Sequence, residues 1–98
     1  MAHDEMLPEG WTSEHFQTRL PHGVLLEPQG HFVVEIRGGD FRELVVDCLV
    51  RVHASQRLCL AREANTQEWY VGDLDVADRS VECWARCGST LDEAVDSI

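Results

Sequence analysis

The chain contains no lysine. Its eight basic residues are all arginine, against eighteen aspartates and glutamates, so 98 residues carry a formal charge of -10. This shortage of positive charge disfavours nonspecific attachment to DNA or to anionic membranes, both of which depend on basic side chains. It favours partners with positive surfaces. Long apolar runs are missing as well: none approaches the roughly eighteen residues that a membrane-spanning helix needs. Met1-Ala2-His3-Asp4-Glu5 lacks the basic stretch and apolar core of a secretory leader, so a cytoplasmic location is the default expectation.

Four cysteines could make two disulfides, but their placement is unlike the staple framework of a secreted miniature protein; reduced thiols are expected. Gly38-Gly39 lacks the glycine pattern and following lysine of a phosphate-binding loop. No segment has the oxygen-ligand pattern of an EF-hand calcium loop. Repeats and low-complexity tracts are absent too. What remains is a hydrophobic fraction of 44% with three Trp, one Tyr and three Phe, a composition that argues for folding rather than for an acidic disordered tail. The length suits one core. We expect a flexible N-terminal segment over residues 1–10 and a single compact domain over residues 11–98.

Thr12 or Ser13 can cap a short helix over Glu14–Leu20, closed by Pro21 and Gly23, with Trp11 and Phe16 anchoring it. Val24-Leu25-Leu26 and His31–Arg37 flank Pro28-Gln29-Gly30, which predicts a hairpin or sharp reversal. Residues 41–53 carry two patterns. Asp40 and Glu43 resemble a helix cap, and Phe41, Leu44, Val45, Cys48, Leu49 and Val52 recur at helical spacing. Leu44, Val46, Cys48, Val50 and Val52 alternate as in a strand, and Val45, Val46, Val50 and Val52 are β-branched. We take the helix as the expectation and the strand as its alternative.

Arg57–Glu63, Glu68–Leu74 and Ser80–Cys87 are three strand-like segments with short separations, which predicts an antiparallel meander. Ser89 can cap a final helix with Asp92 as the reciprocal acid and Leu91, Ala94, Val95 and Ile98 as its apolar face. The expected fold class is α+β, an antiparallel β-sheet packed by two or three helices. It becomes mostly β if residues 41–53 form a strand.

No catalytic, cofactor or metal constellation stands out. Cys83 and Cys87 on a regular strand share a face but sit about 13 Å apart, too far for a disulfide or one zinc. Cys48 and Cys59 have apolar neighbours and read as core residues. His31 and His53 are candidates for a spatially assembled Cys-His pair, with surface positions as the plainer reading. Asp73, Asp75 and Asp78 surround a turn, where capping and solvation account for them.

Alternation over Ser80–Cys87 predicts Val81, Cys83, Ala85 and Cys87 inside, and Trp84 outside with Glu82 and Arg86. Trp69 and Asp73 on the neighbouring strand extend this set. The functional expectation is a small acidic noncatalytic protein-interaction module: an inhibitor, immunity protein or accessory subunit. Its partner-binding residues are Trp84, Glu82, Arg86, Trp69 and Asp73, and its partner is a protein with a basic surface or a second copy of the chain. No cofactor, direct nucleic-acid contact or membrane contact is expected. The alternatives are a small enzyme with a Cys-His or carboxylate site, and a metal- or small-ligand-binding regulator.

Overall fold

A computed structural model describes residues 7–53 and 55–98. Most of the leading segment, residues 1–6, lies outside them; of the remainder, Pro8 is buried and Leu7 packs against a core cluster. The elements are α1 (Ser13–Arg19), β1 (Val24–Leu26), β2 (Phe32–Arg37), β3 (Asp40–Glu43), β4 (Val46–Arg51), β5 (Leu58–Glu63), β6 (Trp69–Asp75), β7 (Ser80–Gly88) and α2 (Leu91–Asp96). They form an α+β fold in which a seven-stranded sheet, ordered β1-β4-β5-β6-β7-β2-β3, packs against two helices. β2 and β7 run parallel; the other neighbouring pairs are antiparallel.

The meander β5-β6-β7 stands where its turn spacing put it. Residues 41–53 are a correction: they hold no helix, and the chain from Asp40 to Arg51 is two strands, β3 and β4. Two physical causes explain this. Gly38 and Gly39 have φ of +52° and +94° and join Arg37 to Asp40 as a two-residue hairpin turn, so Asp40 starts a strand instead of capping a helix. In β4, Leu49 packs into one core while Cys48 and Val50 pack into the other. A strand buried on both faces needs a continuous apolar run, and such a run also matches helical spacing.

The reversal at Pro28–Gly30 is a single 3-10 turn, but the flanking strands do not form a hairpin with each other. β1 pairs with β4 and β2 pairs with β3, both antiparallel, so β1 and β2 run the same way beside the chain from 40 to 51. The long hairpin is the one around Gly38-Gly39, and each of its arms is interrupted once.

The sheet curls on itself. β3 and β5 stand four places apart in the sheet order, which is about 19 Å if the sheet is flat, yet Arg42 on β3 donates to Glu63 on β5 at 3.2 Å. Curling joins β2 to β7, and a meander with an odd number of arms must close with its end strands parallel. Val33, Leu44, Leu49, Cys59, Ala61, Tyr70, Leu74, Val81 and Cys83 fill the interior. Phe16 of α1 and Leu20 at its C-cap, with Leu91 and Ala94 of α2, cover the outer side of β4, β5 and β6.

Both helices are held by local polar chemistry. Thr12 Oγ1 accepts from the His15 amide at 3.1 Å. The cap of α2 is displaced one residue from the expected Ser89 and Asp92: Thr90 Oγ1 accepts from the Glu93 amide at 3.1 Å, and Glu93 receives the Ser89 hydroxyl at 2.9 Å. The Thr90 hydroxyl thus satisfies one first-turn amide, while the Glu93 carboxylate holds the amide and hydroxyl of Ser89 just ahead of the cap. His15 donates to Asp92 at 3.2 Å, and Arg19 reaches Asp92 and Asp96, tying α1 to α2.

Candidate protein-contact face

The helices cover part of the sheet's outer side. Beyond them, the start of β7 together with β2 and β3 presents a shallow hollow lined by Phe32, Val34, Ile36, Phe41, Ser80 and Glu82. Strand register explains the grouping, because Phe32 pairs with Ser80, Val34 with Glu82 and Ile36 with Phe41. Only Val34 is buried; Phe41 is 73% exposed, Phe32 50% and Ile36 39%. An apolar strip of this kind marks a contact surface more often than a lone exposed side chain does.

Trp84 lies at the boundary between the bare and covered regions and is 53% exposed. Its position follows from a β-bulge: Cys83 pairs with Gly72 but Ala85 pairs with Val71, so Trp84 is the extra residue. Gly72 permits the close approach. A Cβ there would overlap the Glu82 carbonyl oxygen and lie 2.7 Å from Cys83 Cα. Trp84 flanks a second hollow formed with Leu58, Val71, Ala85, Cys87 and Ile98.

The bulge also corrects the expected facing of β7. Cys83 packs into the interior, whereas Cys87 packs against the helix-side core, so the two do not share a face. Ala85 is exposed instead of core. Trp69 needs the larger correction: it is 1% exposed, sealed with Val71 and Leu91, with the Arg62 guanidinium 5.9 Å from its ring centre. Covered by the core beneath the helices, its indole does not reach the outer surface. Arg86 borders the Trp84 hollow, and its guanidinium is engaged by Glu68 at 3.4 Å.

Glu82 and Asp73 are exposed and directly opposite each other across β7 and β6. They line an acidic hollow with Asp75, Asp78, Ser80 and Arg57, whose Nε donates to the Leu74 carbonyl at 3.1 Å. Ser80 and Glu82 line this hollow and the apolar one alike, so the two are contiguous. The face thus joins aromatic anchors to a dense cluster of carboxylates.

Cys48, Cys59 and Cys83 are buried free thiols and Cys87 is half-buried. Burial pushes the Cys48, Cys59 and Cys83 thiols up to about 12, and half-burial raises Cys87 despite a hydrogen bond from Ser97. A thiol held protonated is a poor nucleophile. His31 donates from Nδ1 to the Glu27 carbonyl at 2.9 Å. His53 accepts the Ser55 amide at 3.0 Å and packs tilted against His22, with ring centroids 4.7 Å apart. Among the described residues no group of three or more His, Cys, Asp or Glu could hold a metal ion, and no helix is long and apolar enough to cross a membrane.

One polar group escaped the sequence pattern. Glu35 and Glu63, each 5% exposed, share Arg42, which donates to Glu35 at 2.6 Å and to Glu63 at 3.2 Å. The hydrogen bond to Glu35 is the main cause of the raised Arg42 pKa. Thr66 adds a 2.9 Å hydrogen bond to Glu63. This network ties β2, β3 and β5 where the sheet curls.

Compared with known proteins, the chain matches no family model, no curated protein and no solved structure.

Proposed function

We propose that this chain is a noncatalytic protein-interaction module that presents the outer face of β7, β2 and β3 to a partner with an apolar pocket and a basic rim. The observation that carries this reading is the continuity of the Phe32-Ile36-Phe41 strip with the Asp73-Glu82 acidic hollow, with Trp84 at the border. Exposed aromatics seat in partner pockets and dominate contact energy, while a carboxylate rim steers approach and fixes orientation. The net charge of -10 acts in the same direction at longer range.

An inhibitor or immunity protein, which occupies a basic groove, fits this pattern; so does an accessory subunit. The competing Cys-His enzyme reading is disfavoured by the raised thiol pKa values. The test is recovery of the untagged complex from native cells, followed by titration of the purified partner. The affinity is expected to fall as salt rises and to drop on Trp84→Ala or Phe41→Ser. An affinity that neither substitution nor salt changes would overturn the proposal.

A further inference from the structure

We infer that β3 is a strap across the seam where the sheet curls, that Arg42 is its buckle, and that the strap opens as a unit while the rest of the sheet stays folded. What holds β3 is polar. It ends the sheet order and its ladder runs to β2. All four of its residues are exposed, Phe41 to 73%. β3 therefore buries little of the apolar surface that secures the central strands, which places it at the low end of local stability.

Strand register puts Arg42 on the inner side. It lies opposite Glu35, and Glu35 lies opposite Cys83, whose side chain packs into the interior. From this row the guanidinium reaches Glu35 at 2.6 Å and, across the curl, Glu63 at 3.2 Å. Both carboxylates are 5% exposed, whereas the Arg42 side chain is 53% exposed. The cation is the outer member over two nearly buried anions. Lifting it leaves them together without a counter-charge until water enters, which opposes gradual fraying and favours release in one step.

The ends of the strap are fixed. Gly38 and Gly39 tie it to β2 through positive φ values of +52° and +94°, a turn that glycine adopts without steric cost. At the other end Leu44 is buried and its amide donates to the Val33 carbonyl at 2.8 Å, while the Ala64 amide donates to the Val45 carbonyl at 2.8 Å. The moving stretch is Asp40–Glu43. Phe41 faces away from Arg42 and stands beside Ile36 on the outer face. The buckle therefore decides whether the Phe32-Ile36-Phe41 strip is assembled, but the inference concerns the free chain and needs no partner.

Hydrogen exchange of the free full chain, resolved by NMR, provides the test. Hydrogen-bonded pairs alternate along an antiparallel ladder, and counting from the Leu44–Val33 bond makes Arg42 and Glu35 such a pair. In the wild type the Glu35 amide is expected to exchange faster than the amides of Ala61 and Tyr70 on β5 and β6, at a rate that low urea leaves unchanged. Arg42→Met keeps the stem without the charge and is expected to speed Glu35 exchange roughly ten- to a hundred-fold. Glu63→Gln keeps the Arg42 contact to Glu35 and is expected to have a smaller effect in the same direction. The wild type and Glu63→Gln hold the test open if Arg42→Met loses the fold. Glu35 exchange that rises with urea in step with Ala61 and Tyr70, or that both substitutions leave unchanged, would show β3 to be an integral strand and overturn the inference.

Discussion

Cys83 and Cys87 lie on one strand yet pack into different cores: Cys83 is wholly enclosed inside the curled sheet, while Cys87 is half-buried beneath α2. The Trp84 bulge between them reverses the facing. Burial pushes the Cys48, Cys59 and Cys83 thiols up to about 12, which keeps them protonated and unreactive near neutral pH. In native-state alkylation followed by mass spectrometry, Cys87 is expected to label first and the other three only after denaturation. A Cys83–Cys87 disulfide would contradict this arrangement.

Gly72 is the hinge of the same device. Gly72→Ala forces a Cβ against the β7 backbone at Glu82 and Cys83, and backbone cannot move aside as a flexible side chain would. The expected loss is about 1–3 kcal/mol of stability in urea unfolding. Intrinsic tryptophan emission is expected to shift as Trp84 changes its exposure. Unchanged stability would mean that β7 does not approach β6 this closely.

Asp73 and Glu82 face each other as like charges. Glu82→Gln is expected to raise stability by a few tenths of a kcal/mol, and by less as salt increases. The same substitution is expected to weaken partner binding. Measuring the melting temperature and the partner affinity of this one variant separates the structural cost of the carboxylate from its use in recognition.

Asp47 supplies a pH test. Partial burial opposes its charge, but hydrogen bonds from Arg62 at 2.6 Å and Gln67 at 3.0 Å, together with the Arg62 charge, hold its carboxyl below the ordinary value. A depressed folded-state pKa contributes stability above the unfolded value, near pH 3.9, and loses it as pH falls through the folded value. Asp47→Asn is therefore expected to cost up to about 1 kcal/mol at pH 7, because the pair is partly solvated. The gap between wild type and variant is expected to close below about pH 4. A pH-independent gap would assign the effect to packing.

The legible parts of this chain were those governed by local rules. Thr12 capping α1, the meander from Leu58 to Gly88 and the final helix all follow from turn residues and short-range periodicity. The Trp84 bulge was not legible, because nothing in Cys83-Trp84-Ala85 signals an extra residue; it lies where β7 meets Gly72 on β6. For the same reason the exposure of Trp84 matched alternation, while Ala85 and the pairing of faces at Cys83 and Cys87 did not. Trp69 was placed outside because the cover supplied by α2 is a tertiary fact. Phe41 had a usable signal: read as the second residue after a two-glycine turn, it falls opposite Ile36 on the outer face. The Glu35-Arg42-Glu63 network joins residues that only the curl of the sheet brings together.

Hydroxyl-radical footprinting of the complex recovered from native cells, compared with the free chain, bears most directly on the contact face. The account predicts strong protection of Trp84 and Phe41 on binding, with buried Trp69 equally unreactive in both states. A bound partner that leaves Trp84 and Phe41 as oxidisable as in the free chain would contradict it.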